Sequence, residues 1–246
     1  MVKPKTINLN SVRLNTVALN HYGNISGGGS KPDPIAVWIR KHMAFRYDTK
    51  GYTNEVLSQT KQLEDLSGNN RPMLLNNFLF NETSGMDGDA LVTDGVDDYG
   101  VVQNMAHGVK MLFMTVNPIG GNLGKSYYSQ NTMSKPFWIY ASGSIAYNGN
   151  NNPSGVTYIN GTLNESINCE ELFNIKHTIT IVNSTFDSSV VNVTPIFFAN
   201  EHHSGYFSKL AFYNSIGFDS IPTEEDGFTE QELIDYVIEK YELNKI

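Results

Sequence analysis

Cysteine is almost missing from this chain. Cys169 is the only one in 246 residues, so no intrachain disulfide forms and a disulfide-stapled miniprotein is excluded. A chain this long buries roughly 70–75% of its unfolded surface and needs no metal or disulfide to fold. Charge is also scarce: Asp, Glu, Lys and Arg make up 17% of residues. The balance is acidic, with a net charge of −8. That excludes a duplex-DNA binder, whose affinity comes from neutralising phosphates, and a protein that docks on anionic lipid. No run of about 18 apolar residues is present to span a bilayer. The first thirty residues hold no leader-like apolar run with a small-residue cleavage site, so no secretory signal is expected there. Catalytic signatures are lacking too: there is no phosphate-binding Gly-x-x-x-x-Gly-Lys-[Ser/Thr] loop and no Gly-x-Ser-x-Gly elbow.

Asparagine, glycine, serine and threonine fill the polar complement instead. These are turn and strand residues rather than helix formers. Asn-x-[Ser/Thr] sequons such as Asn81-Glu82-Thr83 and Asn192-Val193-Thr194 follow from that composition. The N-terminus carries a threefold repeat of the unit [Ser/Thr]-[Ile/Val]-x-Leu-Asn. It reads Thr6-Ile7-Asn8-Leu9-Asn10, Ser11-Val12-Arg13-Leu14-Asn15 and Thr16-Val17-Ala18-Leu19-Asn20. Within each unit the two apolar residues lie two apart, on one face of a strand. Ile7, Leu9, Val12, Leu14, Val17 and Leu19 thus form an apolar set that a short segment cannot bury alone. Residues 1–26 are expected to form an assembly arm, packing on copies of itself or on a partner. The alternative is an ordinary edge strand. Residues 27–34, with Gly27-Gly28-Gly29-Ser30 and two prolines, read as a linker. Residues 35–246 read as one domain.

Within that domain the pattern is mostly β. Met111 to Val116 reads as a strand buried on both faces. Thr178 to Val182 alternates, and Val190 to Val193, Ile196 to Phe198 and Tyr206 to Tyr213 continue the series. Tyr158 to Leu163 is a hairpin signature, because Asn160-Gly161 tolerates the positive φ values of a type I′ turn. This spacing predicts an antiparallel sandwich or barrel. The period then changes. Thr229-Glu230-Gln231-Glu232 is a capping box. Leu233, Ile234, Val237, Ile238 and Tyr241 follow at helical spacing, predicting one helix over about residues 230–242.

Five motifs resemble concanavalin A-like lectin/glucanase domains of the laminin-G-like kind, in family order over about residues 35–243. Asp65-Leu66-Ser67-Gly68-Asn69-Asn70 resembles their early D-x-S-G-N turn. Leu91 to Tyr99, containing Asp94-Gly95-Val96-Asp97-Asp98-Tyr99, resembles an F-D-G-x-D-D-Y segment. Tyr158 to Gly161 resembles the Y-x-N-G hairpin. Ser204 to Asn214 resembles a late strand ending in Tyr-Asn, and Phe228 to Leu233 resembles the helix start that follows it. The resemblance implies an all-β fold, a concanavalin A-like antiparallel jelly-roll sandwich with one C-terminal helix, here preceded by an extended N-terminal arm. The order of arm, the stretch Trp38 to Glu55, sandwich and helix is similar to virion proteins of phages and prophages of gut bacteria. That likeness implies a fibre, head-decoration or receptor-binding role in the virion. The expected partners are other copies of the chain, with a homotrimer favoured, or a capsid or tail protein.

Candidate chemistry points to binding rather than catalysis. Hydrolytic members of the superfamily carry E-x-D-x-x-E on one strand, and that spacing does not occur here. Glu170 and Glu171 are adjacent and would face opposite ways on a strand, and Glu201 stands alone. No catalytic residue and no obligatory cofactor are expected. Asp94, Asp97 and Asp98 offer hard oxygen ligands to Ca²⁺, or else form a turn that caps backbone amides. Glu201-His202-His203 offers imidazoles to a transition metal only if it lies in a loop. Tyr127, Tyr128, Tyr147, Asn150 and Asn151 combine aromatic faces with amides, the ingredients of a glycan site. Trp138 and Cys169 are expected in the core. The alternatives to a virion protein are a carbohydrate-binding module on a bacterial cell surface and a divergent glycan-active enzyme.

Overall fold

A computed structural model describes residues 32–119, 125–130, 137–141, 155–164, 168–184, 193–199 and 206–244. The chain divides into two units, Met1–Pro32 and Asp33–Ile246, and the second is the sandwich. Its boundary is a helix start rather than a strand. Asp33 accepts the Ile35 amide at 3.0 Å and Pro34 occupies the first turn, where its missing N–H costs nothing. Helix α1 (Pro34–His42) opens the second unit.

The remaining elements are β1 (Met43–Asp48), α2 (Asn54–Thr60), β2 (Gln62–Leu63), β3 (Met73–Asn76), β4 (Gly85–Asp87), β5 (Ala90–Val92) and β6 (Tyr99–Val102). They continue with β7 (Met111–Pro118), β8 (Lys125–Gln130), β9 (Phe137–Ala141), β10 (Gly155–Ile159), β11 (Thr162–Leu163), β12 (His177–Asn183), β13 (Pro195–Phe197), β14 (Leu210–Phe218) and α3 (Glu230–Lys240). All the strand pairs are antiparallel. One sheet runs β11-β10-β12-β7-β14-β5-β4, with β1 also paired to β14; the other runs β2-β3-β6-β13-β8-β9. The antiparallel sandwich and its C-terminal helix are thus as the sequence implies, with two further short helices, α1 and α2, near the start.

Strand β14 organises the larger sheet. Along one side it pairs with β7 from Leu210 to Phe218. On the other side β5 pairs with Ala211 and Phe212, and β1 pairs from Asn214 to Phe218. Thr49 closes the gap between them. Its amide donates to the Tyr213 carbonyl at 2.9 Å, and its hydroxyl faces the carbonyls of Asp89, Tyr213 and Phe212 at 2.5, 2.8 and 3.3 Å.

Two apolar layers hold the larger sheet. Its inner face meets the smaller sheet through Phe45, Tyr47, Leu112, Met114, Ile181, Tyr128, Phe197 and Phe212. The Phe197 ring lies 5.0–6.0 Å from those of Phe45, Tyr47, Tyr128, Phe198 and Phe212, and all five contacts are edge-on, at 60–89°. Its outer face meets α1 and α3 through Trp38, Met111, Phe113, Val182, Ile216, Phe218, Leu233, Ile234 and Val237. This second layer explains why β7 is buried almost throughout, as its continuous apolar run predicts. It also explains why Thr178 and Thr180, alternating polar residues on β12, are buried rather than solvated. Thr178 donates to the Leu243 carbonyl at 3.1 Å, beneath the end of α3. No described helix is long and apolar enough to cross a membrane.

Candidate functional site

The aspartate cluster forms a turn between β5 and β6. Asp94, Asp97 and Asp98 bring one carboxylate oxygen each within 4.8 Å of one another. Oxygens of Asp94 and Asp98 also accept hydrogen bonds from the protein. Asp94 Oδ1 accepts the Val96 and Asp97 amides at 2.7 and 3.4 Å. Asp98, fully buried, accepts the Asp94 amide at 2.7 Å on Oδ2 and the Ser84 hydroxyl at 3.2 Å on Oδ1. Burial, reinforced by the neighbouring Asp94 charge, raises the Asp98 carboxyl to about 7. This geometry is that of the turn that caps backbone amides.

Two of the five expected glycan-site residues, Tyr127 and Tyr128, lie in the core rather than on the surface. Tyr127 and Tyr128 are 3% and 0% exposed and both rings belong to the core between the sheets. Neighbouring strand residues normally face opposite ways, but the β8–β9 pairing shifts register between Ser126 and Tyr128, and both tyrosines join one core. Tyr128 donates to Gln130 Oε1 at 3.0 Å, and Gln130 clamps the Val109 backbone through both ends of its amide. Neither ring has a face to offer a sugar. Tyr147, Asn150, Asn151, Glu201, His202 and His203 lie outside the described residues, as do the arm residues Ile7, Leu9, Val12, Leu14, Val17 and Leu19. So do positions 190–192 of the expected Val190 to Val193 strand and the side chains of Trp138 and Cys169.

The motifs behind the family resemblance act as braces. Asp65 accepts the amides of Arg46, Ser67 and Arg71, tying its turn to β1. Asn69 donates to the Met43 and Ala44 carbonyls. Asn54 imitates a neighbouring strand for β4, accepting the Met86 amide at 2.6 Å and donating to the Met86 carbonyl at 3.2 Å. Asn160 and Gly161 adopt φ values of 51° and 84°, the left-handed pair that the β10–β11 hairpin turn requires. Thr229 and Glu232 form the expected capping box of α3.

The sequence reading passed over one surface feature. A groove of about 430 Å³ runs between the start of α1 and the outer face of α3. Pro34, Ile35, Phe228 and Tyr236 line its apolar part; Asp33, Glu232, Asp235 and Glu239 supply its charge. Ile35, Phe228 and Tyr236 are partly buried against the outer core layer. The four carboxylates were visible in the sequence only as helix-surface charge. Their grouping depends on α1 docking beside α3.

No family model and no curated protein matches the sequence. Among solved structures the chain is similar to the botulinum neurotoxin serotype D binding domain, at 15% identity and a TM-score of 0.32, over 81% of this chain and 53% of that one. A tryptophan-to-alanine mutant of HCR/D is similar to the same degree, again at 15% identity, a TM-score of 0.32 and the same coverage. The chain spans about half the length of the solved chains it matches.

Proposed function

We propose that this is a non-enzymatic virion protein, a structural or adhesive subunit of a head or tail fibre or decoration. In this reading the N-terminal arm anchors or oligomerises the subunit and the sandwich is displayed. The observation that carries it is the division of the chain at Pro32 and Asp33. Downstream lies a domain with its own capped first helix and two apolar layers. Upstream lies a threefold repeat with an apolar face but too few residues to bury it. Such a segment gains its burial from another surface. Host or mucosal glycans are the proposed ligand class for the displayed domain, with the region of Tyr147, Asn150 and Asn151 as the place to look once Tyr127 and Tyr128 are assigned to the core.

The test compares the solution mass of the intact chain with that of a chain beginning at Lys31, and probes purified phage particles for the protein. The proposal expects the intact chain to assemble or to co-purify with a capsid or tail protein, and the truncated chain to do neither. A truncated chain that still forms the same oligomer, or still enters particles, overturns the role given to the arm.

A further inference from the structure

We propose that the groove between α1 and α3 receives the repeat arm of a second copy of this chain. The inference rests on the reading of residues 1–26 as an assembly arm and names the surface that the arm meets.

Charge complementarity carries the argument. Residues 1–32 contain four of the seventeen Lys and Arg (Lys3, Lys5, Arg13 and Lys31) and none of the twenty-five Asp and Glu. The sandwich therefore holds every carboxylate side chain of the protein. The groove concentrates four of them, Asp33, Glu232, Asp235 and Glu239, around an apolar floor. Asp235 and Glu239 are exposed on α3, one helical turn apart. Lys240, exposed at the end of α3, donates to the Tyr236 hydroxyl at 3.2 Å with its ammonium 5.1 Å from the ring centre. The groove thus has an acidic rim and an apolar base. The arm's composition matches both features, because it carries basic side chains and, in each repeat unit, two apolar residues at strand spacing.

Assembly between copies follows from the same charges. Two sandwiches of this composition repel each other as like-charged bodies. A basic segment laid between them relieves that repulsion while burying its own apolar face. Residues 21–32 connect the last repeat unit to α1. Fully extended, these twelve residues span at most about 40 Å. That exceeds the roughly 17 Å radius of gyration of a domain this size, so the arm reaches a neighbour. An arrangement in which each copy lends its arm to the next leaves no groove empty where the rotation between copies closes a ring.

The experiment uses the full chain and measures its solution mass by sedimentation across a range of concentration and salt. Three variants are compared with it: Asp235→Lys with Glu239→Lys in the groove; Lys3→Glu, Lys5→Glu and Arg13→Glu in the arm; and all five substitutions in one chain. The native chain is expected to be an oligomer that weakens with salt. The groove variant and the arm variant should each associate at least tenfold more weakly, form mixed oligomers when combined, and recover self-association when both sets share one chain. Circular dichroism confirms that each variant is folded. If the arm variant dissociates and the groove variant does not, the groove is the wrong surface and the assembly role of the arm survives. A native chain that is monomeric overturns the proposal outright, and the virion reading then depends on the particle assay alone.

Discussion

Asp98 makes the sandwich lose stability as pH rises from acid to neutral, opposite to the usual behaviour of a carboxylate. Its side chain is fully buried in the turn between β5 and β6, and burial raises its folded-state pKa from 3.8 to about 7. Below about pH 4 the folded and unfolded chains both hold the proton, and the full stability is present. Between about 4 and 7 the unfolded chain releases the proton while the folded chain retains it, so stability falls as pH increases. Above about 7 both forms are ionised and the dependence levels off. At about 1.4 kcal/mol for each pH unit separating the two pKa values, the total loss from this group is at most about 4 kcal/mol. Replacing Asp98→Asn removes the titration while keeping an oxygen for the Asp94 amide. Urea unfolding of native and variant protein at intervals from pH 4 to 8 reads the effect as a difference in which groups remote from Asp98 cancel and only Asp94, whose charge acts on it, contributes alongside. The native protein should lose ground to the variant across that interval. A flat difference, or one in which the native protein gains, refutes the account of a buried, protonated Asp98.

Four further outcomes follow from the geometry. At Gly217 an added methyl group would stand 2.6 Å from Phe45 Cζ and 2.8 Å from Val109 Cγ1, so Gly217→Ala should cost about 1–3 kcal/mol in urea unfolding. At Gly100 the obstacle is the Met73 sulfur, whose flexible side chain moves aside, so Gly100→Ala should cost about 1 kcal/mol or less. Tyr128→Ala should destabilise by about 3–5 kcal/mol, whereas a sugar-binding surface ring would truncate with little change in melting temperature. Millimolar calcium and a chelator should give the same melting temperature to within a degree; a rise of several degrees with calcium, abolished by Asp94→Asn, would show that a cation enters the aspartate turn after all.

Much of the fold was legible where one local rule dominated. The capping box at Thr229 and Glu232, the Asn160-Gly161 turn and the unbroken apolar run of β7 each fix an element by short-range chemistry, and each appears where the pattern places it. Helix α1 was missed because its N-cap, Asp33, sits between two prolines that also spell a linker. The tyrosines of β8 were misplaced because a register shift moves both to one core, and nothing in Ser126-Tyr127-Tyr128 announces a bulge. The burial of Thr178 and Thr180 depends on a helix some fifty residues later covering their strand. For the candidate site, the sequence brought the three aspartates together correctly but left open whether their oxygens face a cation or the backbone. The contacts of Asp98 with the Ser84 hydroxyl and the Asp94 amide are ones that local spacing does not reveal.

The position of β14 bears on how the chain reaches this structure. Residues 210–218 supply the neighbour of β7 on one side and of both β1 and β5 on the other. Strand β1 therefore leaves the ribosome more than 160 residues before the strand it pairs with. Until β14 arrives, the edges of β1, β5 and β7 lack their main partner in a sheet that is otherwise apolar on both faces. Such long-range closure makes folding slow and exposes strand edges to other nascent chains. The larger sheet is then completed late, and truncation before Leu210 should leave an aggregating chain rather than a smaller domain.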